Sequence, residues 1–199
     1  MTYNFSVDWF SGREEQFRQI IGEVSRDGAL RVLEVGSFEG RSACWFSDNW
    51  LGHLDSRMVC VDTFKGNAEH PESLVGPDLH DRFLANVNQS RSAKKICVCI
   101  GRSQIVLPRL LGAYTEFFDL IYIDGSHRCS DVTLDGTCAC LLLRPDGAIV
   151  FDDYHRPGFG DCSEPDPVRR AAEAVVTAFH LELMNDSPLM RAYRKPKGS

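Results

Sequence analysis

Arg31-Val32-Leu33-Glu34-Val35 has the composition of a short buried strand, and it breaks at Gly36-Ser37-Phe38-Glu39-Gly40 into a helical stretch over 41–50. Glycines on both sides of such a turn let backbone approach a ligand closely and open the next helix with its amide groups free. The spacing is Gly-x-x-x-Gly, not the Gly-x-Gly-x-x-Gly of dinucleotide sites, so a dehydrogenase lacks its signature here. Taken alone, a turn of this kind is also ordinary loop geometry.

Outward from that turn the chain alternates. Upstream, Ser11 and Glu14 have the spacing of a capping box, and Phe17, Ile20, Ile21 and Val24 form an amphipathic helical stripe that Gly28 ends. Downstream, Met58–Asp62, Ile96–Ile100, Leu120–Asp124 and Ala148–Phe151 read as further strands. Leu79, Phe83, Leu84 and Val87 mark one intervening helix, and Leu134, Cys138, Leu141 and Leu142 mark the helix before the fifth strand. Lys65 to Pro77 reads as a polar loop and Pro145-Asp146-Gly147 as a turn. Asp166-Pro167 caps a last helix bearing Val168, Ala172, Val175, Val176 and Phe179, with proline at its first position. Leu181–Met184 and Leu189–Tyr193 then pair as a terminal antiparallel hairpin.

Continuously apolar strands alternating with helices predict an α/β fold, a parallel sheet covered on both faces. Ligands of such sheets bind outside the carboxyl ends of the strands. Those ends carry Asp62, Gly101-Arg102-Ser103-Gln104, Asp124-Gly125-Ser126-His127 and Asp152-Asp153-Tyr154-His155. An acidic residue after the second strand suits a ribose hydroxyl pair, and it is equally an exposed strand-end carboxylate. Each later aspartate is by itself a helix cap or a solvated charge. Three of them converging would repel one another unless a cation neutralises them.

The 199 residues are 43% hydrophobic and 25% charged, the composition of a globular protein. A net charge of -6 argues against a broad nucleic-acid surface. No run approaches the length of a membrane span, and Met1 to Trp9 lack the pattern of a signal peptide, so a cytoplasmic location without membrane or nucleic-acid partners is expected. The eight cysteines include no Cys-x-x-Cys pair, which predicts reduced core thiols; Cys97 and Cys99, like Cys138 and Cys140, sit in apolar stretches.

Together, Glu-x-Gly-x-x-x-Gly-x-Ser at 34–42, Asp62, Gly-x-Ser-Gln at 101–104, Ile-Asp at 123–124, Leu-Leu-Arg-Pro-Asp-Gly at 142–147 and Asp-Asp at 152–153 resemble class I S-adenosylmethionine-dependent methyltransferases. The likeness is to metal-dependent small-molecule O-methyltransferases of the catechol kind and their sugar-modifying relatives, and it covers about 30–195. It implies a Rossmann-like, seven-stranded, mostly parallel sheet within a single domain over 1–199, with an N-terminal helical segment at 1–28 and a core at 30–195. It also implies that Gly36 and Gly40 line the methionine part of the cofactor, that Ser42 meets its carboxylate, that Asp62 holds the ribose and that Ser103 and Gln104 border the adenine. Glu34, Ser37, Thr63 and Asp124 complete the cofactor set that the resemblance implies. Asp124, Asp152 and Asp153 would ligate Mg²⁺ or another divalent cation. The catechol enzymes have asparagine at the position of Asp153 and lysine at that of His127; histidine there resembles the sugar-modifying relatives.

His127 and His155 fall on the carboxyl edge, where an imidazole is either a general base or a surface and capping residue. His127 is the expected base, with Asp124 beside it. His70 and His80 lie in the polar insert, bordering an acceptor pocket or solvent. The expected partner is a small hydroxyl acceptor. The pocket has few walls of its own, so the loop at 154–166 and a second subunit of a homo-oligomer are the candidates to complete it. A catalytically silent binding or regulatory protein on the same scaffold is the alternative, although such a protein would be expected to have lost the three aspartates. A nucleic-acid methyltransferase would favour an Asn-Pro-Pro-Tyr-like motif where Ile-Asp-Gly-Ser-His stands.

Overall fold

The computed structural model of the protein describes residues 2–66, 73–155 and 165–198. Seven strands form one sheet: β1 (Arg31–Val35), β2 (Arg57–Asp62), β3 (Ile96–Ile100), β4 (Phe118–Ile123), β5 (Leu143–Asp152), β6 (Glu182–Asp186) and β7 (Met190–Arg194). The helices are α1 (Glu14–Val24), α2 (Arg41–Asn49), α3 (Leu79–Val87), α4 (Ser103–Tyr114), α5 (Cys129–Leu142) and α6 (Pro167–Phe179). The strand order is β3-β2-β1-β4-β5-β7-β6, with β3 through β5 parallel and β7 antiparallel to both of its neighbours. This is the Rossmann-like methyltransferase architecture, and the order reverses between β1 and β4, where such sheets open a crevice.

Alternate residues of each strand point to opposite faces, which builds two cores. Val32, Met58, Cys60, Leu120, Tyr122 and Val150 pack under α1, α2 and α3 with Phe17, Ile21, Phe46 and Phe83. Leu33, Val59, Ile121, Ile149 and Phe151 pack under the other three helices with Leu107, Val132, Ala139 and Val175. All six residues of β4 are buried, including Asp119, whose charge is met by Arg31 at 3.1 Å and by Arg144. The central strands therefore read as unbroken apolar runs because helices cover both of their faces.

Several local expectations shift. Ser11 does not cap α1: its hydroxyl donates to Asp8, and Glu14 accepts from the amide of Gly12, so the anchor falls before the helix rather than on it. The stretch 103–114, for which the sequence reading names no element, is α4; Leu107, Leu110, Leu111 and Tyr114 stand at i, i+3, i+4 and i+7 and pack on the core, although only Leu107 is fully buried and Pro108 stands within the helix. On α5 the inward residues are Val132, Asp135, Cys138, Ala139 and Leu142, while Leu134 and Leu141 face outward. Pro145-Asp146-Gly147 does not precede β5 but is looped out within it, since Phe118 pairs with Leu143 and Leu120 already with Ala148. Asp166 sits at the head of α6, but its side chain pairs with Arg169 instead of capping. The seven described cysteines are free thiols, yet Cys97 is exposed because β3 is an edge strand. Cys162 and His70 lie outside the described residues.

Candidate functional site

One cavity of about 1030 Å³ runs along the carboxyl ends of β1, β2, β3, β4 and β5. That lies at the top of the usual range for ligand pockets.

At the β1 end, Gly36 and Gly40 have φ of +86° and +82°, a backbone state that disfavours any side chain. A Cβ on Gly36 would lie 2.1 Å from the carbonyl oxygen of Asp124, so glycine alone allows β1 and β4 to end in contact. Four amides of the turn are spent inside the protein: Gly36 donates to Val61, Ser37 and Phe38 to Asp62, and Gly40 to Ser37. The turn thus offers shape more than loose donors. Asp62 Oδ2 accepts from Ser37 and Phe38 at 2.7 and 2.9 Å, and Oδ1 accepts from the amide of Phe64 at 2.7 Å. Oδ2 is filled by its two amides, while Oδ1 keeps one lone-pair site for a ligand hydroxyl.

Of the expected cofactor residues, Gly36, Ser37, Ser42, Asp62, Thr63, Ser103, Gln104 and Asp124 line the cavity. Gly40 and Glu34 do not. Gly40 packs on the ring of Phe83, where a Cβ would come within 2.9 Å. Glu34 is fully buried behind the turn, accepts from the Ser37 hydroxyl at 2.6 Å, and is pushed up to about 7 by burial. Its task is to hold Ser37.

The aspartates of β4 and β5 form the other end. Ligand atoms of Asp124, His127 and Asp153 all lie within 4.8 Å of one another, with His127 Nε2 3.3 Å from Asp153 Oδ2. Asp153 has φ of +49°, a strained state for a non-glycine residue of the kind that concentrates at functional sites. Asp152, the third expected cation ligand, is engaged by side chains: Arg13 Nε donates to both of its oxygens at 2.8 and 2.7 Å, and the Tyr122 hydroxyl donates at 2.5 Å. Tyr122 also lies 3.1 Å from Asp124 Oδ2, and an Arg13 terminal nitrogen lies 3.6 Å from Asp153. Burial, followed by repulsion from Asp152 and Asp153, raises Asp124 well above the usual carboxylate range. The three carboxyl groups face one guanidinium and repel one another when ionised, a repulsion that a divalent cation of oxygen-ligand preference would relieve.

The sequence reading missed the walls. Phe5, Val7 to Ser11 and Arg13 line the cavity together with Leu189 of the turn between β6 and β7. This N-terminal strap is tied down by Ser6 to Glu39, by Asn4 to Asn86, by Tyr3 to Asp48 and by Arg41 to Asp8 at 3.2 Å. Glu39 is itself buried and also meets Arg82 of α3. No motif marks Arg13, whose partner lies 139 residues away. His155 does not line the cavity and pairs with Asp186 at 3.3 Å, while His80 rests against Phe64. His127 is the cavity's histidine among the described residues.

Residues 33–154 match the family model described as "Methyltransferase domain". Solved structures share the fold. A cofactor-bound protein from MTB, Rv0187, is 19% identical with a TM-score of 0.67, over 97% of this chain and 85% of that one. An O-methyltransferase from Bacillus cereus in complex with SAH is 19% identical with a TM-score of 0.66, over 93% and 82%. TomG, an O-methyltransferase of tomaymycin synthesis from Streptomyces achromogenes in complex with SAM, is 18% identical with a TM-score of 0.64, over 96% and 82%. No curated protein matches the chain. No helix among the described residues is long and apolar enough to cross a membrane.

Proposed function

The chain belongs to the methyltransferase-domain family, and from that membership we propose that it transfers a methyl group from S-adenosylmethionine to a hydroxyl oxygen of a small molecule, with a divalent cation at the aspartate cluster. The carrying observation is one continuous cavity lined at one end by Gly36, Asp62, Ser103 and Gln104 and at the other by Asp124, His127 and Asp153. Solved structures of the same fold described as O-methyltransferases with SAM or SAH support the choice of donor and of oxygen as acceptor. In this reading residues 1–199 work as one catalytic domain, in the cytoplasm.

When bound, S-adenosylmethionine supplies an activated methyl on a sulfonium, and a divalent cation such as Mg²⁺ supplies charge that stabilises an oxyanion. Asp62 would take a ribose hydroxyl on the remaining lone pair of Oδ1, Ser42 would meet the methionine end, and Ser103 and Gln104 would border the adenine. Asp124 and Asp153 would hold the cation. Asp152, fixed by Arg13 and Tyr122, supports the cluster from behind. His127 takes the acceptor's proton at Nε2, and Asp153, 3.3 Å away, stabilises the imidazolium that forms. The strap, with Trp9, and Leu189 would line the acceptor.

The test is turnover on a panel of sugar and phenol acceptors, with and without chelator, alongside calorimetry of S-adenosylhomocysteine. Chelation should abolish turnover and spare cofactor binding. His127→Ala should lower kcat about 10²–10⁴-fold with cofactor affinity intact. Full activity in excess chelator would remove the cation from the reaction. Failure to bind S-adenosylhomocysteine would remove the function.

A further inference from the structure

Ser103 is the first residue of α4, one after its N-cap Arg102, and it stands on the cavity wall. No side chain caps α4, and Ser103 Oγ lies 3.0 Å from Oδ2 of Asp135, a residue of the neighbouring helix α5. Asp135 is 1% exposed, and its second oxygen, Oδ1, has no hydrogen-bond partner. A carboxylate so placed is costly, because its charge is desolvated and only half satisfied. Methyl transfer as described above makes no use of it, and its effect runs through the one group it touches on the cavity side.

A serine hydroxyl carries one proton and two lone pairs. With the proton committed to Asp135, Oγ presents only lone pairs to a ligand. We propose that Asp135 fixes Ser103 as a hydrogen-bond acceptor toward the cavity, so that the pocket selects a purine with an exocyclic amino group, adenine, over one with a carbonyl, hypoxanthine. Asp135 acts through Ser103 and is a positioning residue for specificity. The proposal rests on the cofactor reading above, which places the purine beside Ser103 and Gln104. An amino group donates into the fixed acceptor. A carbonyl oxygen meets it lone pair to lone pair, and both lose the water they had.

The test is calorimetry at about pH 8, above the value of about 7 to which burial pushes Asp135, so that the carboxylate form prevails. S-adenosylhomocysteine and S-inosylhomocysteine are titrated into the wild type, Asp135→Ala and Ser103→Ala. The wild type should bind the adenosyl compound at least about tenfold more tightly than the inosyl one. In Asp135→Ala the hydroxyl regains its proton and can donate or accept, so the ratio should fall to within about threefold. A purely structural role for Asp135 would weaken both ligands alike and leave the ratio unchanged, which would overturn the proposal. Should Asp135→Ala fail to fold, Ser103→Ala decides: a collapsed ratio supports the proposal and a retained one overturns it. Absence of S-adenosylhomocysteine binding to the wild type would instead refute the cofactor reading.

Discussion

Asp62 and Asp152 each end a strand on the same cavity, and the protein satisfies them in opposite ways. Asp62 is held by three backbone amides, those of Ser37, Phe38 and Phe64, all within the β1-turn-β2 unit. Asp152 is held by two side chains, Arg13 and Tyr122, one of them 139 residues away. Amides are available whatever the side chains are, so the first arrangement depends on the shape of a turn. The second depends on a charge delivered by a separate segment that must dock first. The glycine-turn end of the cavity is thus built by backbone geometry, and the aspartate-cluster end by side-chain pairing across the chain.

That contrast breaks most sharply at Arg13. Arg13→Met should cost about 3–5 kcal/mol in urea unfolding, because it leaves Asp152 buried without its counter-charge. Combining it with Asp152→Asn should recover much of the loss. A cost near zero for the single variant would mean that the aspartate-cluster end does not depend on the pair. At the other end, Asp62→Ala should weaken S-adenosylhomocysteine by about 1–3 kcal/mol in calorimetry, since a ribose hydroxyl and the turn amides lose their acceptor together. Unchanged affinity would leave Asp62 as a turn-forming residue alone.

A third strand-end carboxylate sharpens the comparison with the smallest effect. Glu34 is raised by burial from its ordinary value of 4.5 to about 7. Its protonated form is therefore favoured in the folded state, so its contribution is fully present below the lower value and lost as pH rises through the higher one. Glu34→Gln should flatten that part of the wild type's decline in stability between about pH 4.5 and 7, read as the difference between the two proteins' urea midpoints. An identical pH profile for both proteins would mean that Glu34 is ionised throughout.

The same division governs what the sequence discloses. Strands β1, β2, β4 and β5 are legible because burial on both faces makes their residues mostly apolar, and the glycine turn and strand-end aspartates follow from where those strands stop. α4 is harder to read, since Pro108 stands in its middle and the exposed Ile105 blurs the stripe that Leu107, Leu110, Leu111 and Tyr114 turn to the core. The roles of Glu34 and Gly40 are not legible, because a motif gives spacing and not which members face the ligand. Arg13 and the strap are illegible for a deeper reason. Nothing within the N-terminal stretch distinguishes Arg13 from a surface arginine, and its meaning appears only when α1 packs beside the end of β5.

The contact of Gly36 with the carbonyl of Asp124 also bears on how this protein can change over generations. Even alanine at 36 would drive backbone from β4 away from β1, disturbing the cofactor turn and the cluster aspartate in one step. Gly22 and Gly112, with nothing within 4 Å of a Cβ, lie in helix interiors where alanine gains about 0.5–1 kcal/mol. A library drawn over this chain should therefore return a single letter at 36 and a broad alphabet at 22 and 112. The two ends of the cavity can drift apart in their side chains, but at that one backbone seam they are inherited as a unit.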